Sequence, residues 1–188
     1  MKGLIIALVV IVAIVGIAGG SFVSRRNDMV TMQEAIRSAW AQVDVALERR
    51  ADLIPNLVAT VKGFAAHEEK AIEDVAKARA GLLAAKSPQE RIAANDQLTG
   101  SLGRLLVVVE NYPNLKANEN FIRLQDELSG TENRISVERR KYNDTVQRYN
   151  TYIQLFPNNL VASIGGFQRQ EAYFKAEGQS REVPKVQF

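Results

Sequence analysis

The sequence contains no cysteine. That excludes disulfides, thiolate metal sites, a cysteine nucleophile and a lipid-modified cysteine. It leaves the redox compartment open, because such a chain survives on either side of a membrane. Histidine occurs once, at His67. A helical zinc site needs ligands three or four apart on one face, and the residue four after His67 is Ala71. Excess charge is lacking too: the net charge is +3 and the Lys and Arg are scattered among Asp and Glu, which leaves no nucleic-acid footprint. There is no glycine-rich phosphate loop, no nucleophile elbow and no Ser-His-Asp set. The sequence therefore offers no catalytic, cofactor-binding or metal-ligating residues.

What remains favours helix. The 188 residues leave room for one ordinary domain plus an appendage, and 46% hydrophobic with 24% charged residues is a globular composition. Ala, Leu, Glu, Gln, Arg and Lys are abundant, while Gly and Pro are few and clustered.

Between Lys2 and Arg25 lie 22 residues without a charge. About 20 apolar residues cover roughly 30 Å of hydrocarbon, so this stretch is long enough to cross a bilayer. A cleavable signal peptide would have a shorter apolar core, with Ala18-Gly19-Gly20 as its small-residue site. The length of the run and the lack of an Ala-x-Ala site favour a retained anchor over residues 1–26. Lys2 on one flank and Arg25 with Arg26 on the other leave the orientation undecided.

From Ile36 to Leu82 large apolar residues recur at Ile36, Trp40, Val43, Leu47, Ile54, Val58, Val61, Ala65, Ile72, Val75 and Leu82. Steps of three, four and seven are those of one buried helical stripe. Asp28 or Thr31 is a candidate N-cap for its start. Pro55 removes one intrahelical hydrogen bond and crowds the carbonyl of Ala51. The stripe stays in phase across it, which predicts a kink within one long helix rather than a break. Ser87-Pro88-Gln89-Glu90 supplies an N-cap, a proline at N1 and a capping-box glutamate. The helix it opens carries Ile92, Leu98, Leu102, Leu105, Leu106 and Val109 and stops at Tyr112-Pro113. Gly100 and Gly103 inside it either admit a close neighbour or simply weaken it. A last long pattern uses Phe121, Leu124, Leu128, Ile135, Tyr142, Val146, Tyr149, Ile153 and Phe156, predicting a rod of roughly 60 Å from Ala117 to Phe156. Beyond Pro157 come an apolar segment at Leu160 to Ile164, the breakers Gly165 and Gly166, a helical piece from Gln170 to Glu177, and an extended tail from Val183 to Phe188. The expected architecture is all-α: a transmembrane helix, then an elongated antiparallel bundle of three to four helices over residues 27–159, then short helices and a tail over 160–188.

These stretches resemble the LemA family. The similarity rests on A-W-A-Q-V-D-V at residues 39–45, R-R-A-D-L-I-P-N-L-V at 49–58 and V-K-G-F-A-A-H-E at 61–68. Further on come Y-P-N-L-K-A-N at 112–118, T-E-N-R-I at 131–135, Y-N-D-T-V-Q-R-Y-N at 142–150 and F-P at 156–157. The resemblance implies a bacterial, membrane-anchored α-helical bundle. It implies no established enzymatic activity, and a short N-terminus outside the cell with the body inside.

Among individual residues, Arg49, Arg50 and Asp52 around the proline suit either an anion or, preferentially, pairing with Asp44 or Glu48. Asp126-Glu127 reads as a solvated pair. Trp40, Tyr112, Tyr142 and Tyr149 fall on apolar stripes and are expected in the core. Asn118, Asn120, Asn133, Asn143 and Asn150 are poor interior helix formers, so those that are buried are expected to bridge helices; the alternative is simple exposure. The function expected is a scaffold in the bacterial inner membrane that self-associates, with the lipid bilayer and copies of itself as partners and no nucleic acid. The alternative is an adaptor for another membrane protein, such as a protease or sensor.

Overall fold

The computed structural model describes residues 2–65 and 67–174, and the tail from Val183 to Phe188 lies outside them. Six helices are present: α1 Lys2–Phe64, α2 Glu69–Ala84, α3 Pro88–Val109, α4 Pro113–Lys116, α5 Glu119–Gln154 and α6 Asn158–Gly165. Among the described residues there is no strand. The described chain forms two compact units. Unit 1 comprises residues 2–39 and 142–171; unit 2 comprises 40–141 and 172–174.

Unit 2 is a four-helix arrangement whose directions follow from its polar contacts. Arg79 of α2 meets the carbonyl of Ala51 on α1, while Ile72 lies beside Val58 and Lys62, so α2 runs antiparallel to α1. Arg91 of α3 pairs with Asp44, and Arg50 pairs with Asn95 and Thr99, so α3 runs parallel to α1. On α5, Glu132 meets Arg50 and the segment around Arg123 lies beside Asn56 and Thr60, which makes α5 antiparallel again. This is an up-down-up-down bundle. Its centre holds Val43, Leu47, Ile54, Leu57, Val61, Val75, Leu82, Leu98, Leu105 and Ile135, each 1% exposed or less.

Two boundaries differ from the sequence expectation. Helix α1 runs without interruption from the apolar segment through Asp28 and Thr31, so neither caps a helix; the Thr31 hydroxyl bonds back to the Asn27 carbonyl as mid-helix threonines do. Pro55 lies inside α1, as the phase argument required. The stripe from Ile36 to Leu82 is nevertheless two helices, because the chain reverses between α1 and α2. Ala65 and Ile72 are seven residues apart and both buried, so a reversal here leaves the apolar count intact. The capping box at Ser87 is present as expected, with Glu90 N–H on Ser87 Oγ at 3.2 Å and Glu90 Oε2 accepting from the Ser87 amide.

In unit 1, α5 descends alongside α1. The Tyr152 hydroxyl donates to Asp28 Oδ2 at 2.9 Å, and Gln33 Nε2 donates to the Tyr149 hydroxyl at 3.1 Å. Met29, Ile36, Val146, Tyr149, Ile153, Val161 and Ala162 fill the interior. The Phe156–Pro157 bond is cis. Helix α6 ends at Gly166, whose φ of 71° is the left-handed conformation that glycine adopts without strain. A Cβ on Gly165 would lie 2.7 Å from the Phe167 ring, so this pair of glycines does make the bend.

Residues 167–174 are not helical, which corrects the helical piece placed from Gln170; its end at 175–177 is outside the described residues. The segment is held instead by side chains of α5. Asn150 grips the backbone of Gln170 from both sides, donating from Nδ2 to its carbonyl and accepting from its amide, each at 2.9 Å. Tyr149 donates to the Gln168 carbonyl at 3.0 Å. In unit 2 the Phe174 ring stacks on Trp40 with centroids 6.1 Å apart, and the Arg139 guanidinium lies 4.5 Å over the Phe174 ring.

Candidate functional site

A buried polar cluster sits in the unit 2 bundle. Arg50 occupies a core position of α1, three residues after Leu47 and four before Ile54, and is 5% exposed. Its Nη1 donates to Asn95 Oδ1 at 2.8 Å and to Thr99 Oγ1 at 2.9 Å, and forms an ion pair with Glu132 Oε2 at 2.8 Å. Asn95 and Thr99 are one turn apart on α3, so both reach the same guanidinium, while Glu132 arrives from α5. The Thr99 hydroxyl donates in turn to the backbone carbonyl of Asn95. Facing a cation fixes the Asn95 amide with its oxygen toward Arg50, and Nδ2 is left buried without a partner.

Beside this cluster opens a cleft of about 260 Å³. Leu57, Leu102, Leu106 and Leu128 form its apolar walls, and Gln125, Ser129, Thr99, Glu132 and Arg50 its polar edge. Gly103 lines it as well. A Cβ at Gly103 would meet nothing within 4 Å, and one at Gly100 only the end of Arg104 at 3.8 Å, so no close helix approach requires either glycine. The cleft fits an aliphatic group, and at its edge Arg50 is engaged by Thr99 and Glu132.

The remaining residues of interest are structural. Pro55 has no amide hydrogen to give the Ala51 carbonyl, and Arg79 Nε takes that place at 2.7 Å. Asp44 and Glu48 do not pair with Arg49 or Arg50 as expected; both face Arg91, because the α3 side chain reaches across to α1. Arg49 lies on the exposed side, 3.9 Å from Glu127. Asp52 and Asp126 are exposed, and so is His67, in the turn between α1 and α2. Tyr142 and Tyr149 are buried, whereas Trp40 and Tyr112 are half-buried. The Tyr112 hydroxyl donates to Glu68 Oε1 at 2.9 Å, and this bond to a carboxylate, with burial, raises its pKa above the ordinary phenol value. Of the asparagines, Asn150 is buried and holds the extended segment at Gln170. Asn118 caps α5 through the amides of Asn120 and Phe121. Asn120 and Asn133 are exposed and Asn143 is half-buried. The sequence reading missed Asn95 and Asn158, both buried. Asn95 falls three residues before Leu98 on the α3 stripe, a spacing that marks it as inward-facing.

The apolar start of α1 is long and apolar enough to cross a membrane, and none of that window is buried against the rest of the chain.

A family model described as the LemA family matches residues 39–188. The chain is 29% identical over 177 residues to magnetosome protein MamQ 2 of Paramagnetospirillum magneticum, an alignment that covers 80% of this chain and 65% of that protein. It is 27% identical over 176 residues to magnetosome protein MamQ of Magnetospirillum gryphiswaldense, covering 80% and 64%. Protein LemA of Metamycoplasma hominis is 26% identical over 176 residues, covering 92% of this chain and 77% of the relative. The chain thus spans about 65% of the length of the MamQ relatives it matches.

Proposed function

The chain belongs to the LemA family, and we propose that it is a non-catalytic scaffold, anchored in the bacterial inner membrane by the start of α1, that self-associates to organise the membrane or a complex on it. The observation that carries this reading is the continuity of α1. The uncharged residues that suit a bilayer and the residues that build the helical body belong to one helix, Lys2–Phe64. Anchoring on one lipid surface concentrates copies in two dimensions, which favours self-association at modest affinity. The polar residues that converge in unit 2 support the non-catalytic part, since Asn95, Thr99 and Glu132 all point at the Arg50 guanidinium rather than converge on an open position. Lysine-directed cross-linking in native membranes tests the proposal. Ladders of this chain alone are expected, and recovery of monomer only overturns self-association.

The leucine-walled cleft favours a second reading, in which the chain is an adaptor that holds an apolar segment of another membrane protein such as a protease or sensor. A stoichiometric heterologous partner in a detergent pull-down, lost on Leu106→Lys, distinguishes it from the scaffold.

A further inference from the structure

Unit 1 exposes an apolar surface where α5 turns into α6. Phe156 is 80% exposed and Ile164 76%, with Leu155 and Leu160 also open. Leu160 and Ile164 are one turn apart on α6 and share a face, while Asn158, Val161 and Ala162 turn inward. Helix α6 thus has an inner face that packs within unit 1 and an outer face where Leu160 and Ile164, beside Asn159 and Ser163, are exposed among the described residues.

The position of this face identifies what covers it. Arg25 is the first charge after the apolar segment, and its guanidinium donates to Asn158 Oδ1 at the start of α6. Helix α5 approaches the same level from the other direction. Tyr152 lies opposite Asp28, and two antiparallel helices advance equally at about 1.5 Å per residue. Helix α5 ends at Gln154, and the turn that carries Phe156 lies between Tyr152, held at Asp28, and Asn158, held at Arg25, which puts it at the level where the uncharged stretch ends.

We propose that the outer face of α6, with Phe156, is a second membrane contact, inserted at the boundary between headgroups and acyl chains beside the exit of α1. The proposal rests on the anchor reading above. Interfacial elements of this kind bury an apolar face roughly 5–10 Å into that boundary, with cations at headgroup depth. Arg25 and Arg26 are placed for that second role. The bilayer is favoured over a protein partner because the α1 span and the α6 face meet at one level.

The absence of cysteine makes the test direct, since a single introduced cysteine is the only labelling site. The full chain is reconstituted in nanodiscs of phosphatidylcholine and phosphatidylglycerol, with a nitroxide at Phe156→Cys, Ile164→Cys, Val12→Cys or Asp144→Cys in turn. Collision rates with oxygen and with a water-soluble nickel chelate are then compared. The expected result is an oxygen-to-nickel ratio at positions 156 and 164 clearly above that at 144 and below that at 12. If 156 and 164 match 144 while 12 remains lipid-like, the inference falls and the anchor stands. If position 12 also reads as water, the anchor and the inference fall together. If both probes are excluded at 156 and 164, a protein surface covers α6 and the inference falls.

Discussion

Arg50 brings a guanidinium into a helical bundle and depends on three partners from two other helices. Removing one member of a buried charge pair costs about 3–5 kcal/mol, because the others are left desolvated and unpaired. For a chain of this length, Arg50→Ala is therefore expected to lower the melting temperature by roughly 6–20 °C in thermal denaturation followed by circular dichroism. A loss within the scatter of surface substitutions would show that the cluster is inessential. The tyrosines of unit 1 give a second outcome. Burial raises the Tyr149 pKa, opposed by the hydrogen bond from Gln33; burial and the bond to Asp28 raise that of Tyr152, opposed by Arg25. Unfolded phenols ionise near pH 10 while these keep their protons, so their contribution is intact below about pH 10 and is lost as pH climbs through the folded values. Melting temperature should fall more steeply above pH 10 in the native chain than in Tyr149→Phe, Tyr152→Phe. Equal slopes would remove the phenols from the account. Arg50 was partly legible in the sequence, since it sits in phase with Leu47 and Ile54. A scale that sorts residues by hydrophobicity assigns it to solvent, and only the spacing objects.

At the scale of elements, the two breaks in the long apolar stripe carry reversed signals. Pro55 is the strongest helix breaker in the region and does not end α1, because Arg79 supplies the donor that proline withholds from Ala51. The reversal before α2 is marked only by Gly63 and a short polar step at His67-Glu68, and it preserves the heptad count. Periodicity reports which residues face inward and is blind to whether the chain turns around between them. The capping box at Ser87 was legible because every part of it lies within four residues. The return of 167–174 along α5 was not, since nothing local announces that Asn150 will hold a backbone twenty residues away. The proline compensation predicts a coupling. Arg79→Met should cost about 1–3 kcal/mol in the native background by orphaning the Ala51 carbonyl. In a Pro55→Ala background, where an amide hydrogen returns to that carbonyl, the cost should shrink by about 1 kcal/mol or more in a double-mutant cycle. Additive losses would mean that Arg79 acts elsewhere. For the extended segment, Asn150→Ala should cost about 1–3 kcal/mol and speed hydrogen exchange at the Gln170 amide. Asn150→Asp keeps the acceptor and should leave that amide protected.

At the scale of the whole molecule, family membership and the helical body are secure, and the association with a membrane rests on one helix that begins in apolar sequence and continues as structural core. No glycine, proline or turn separates Arg25 from Gln33, the α1 residues that α5 and α6 engage in unit 1. A helix that crosses lipid meets a mismatch in bilayer thickness by leaning over. With no joint to absorb the lean, unit 1 must tip by the same angle. On the anchoring proposed above, a thinner bilayer would set unit 1 at a different attitude to the surface without any ligand being bound.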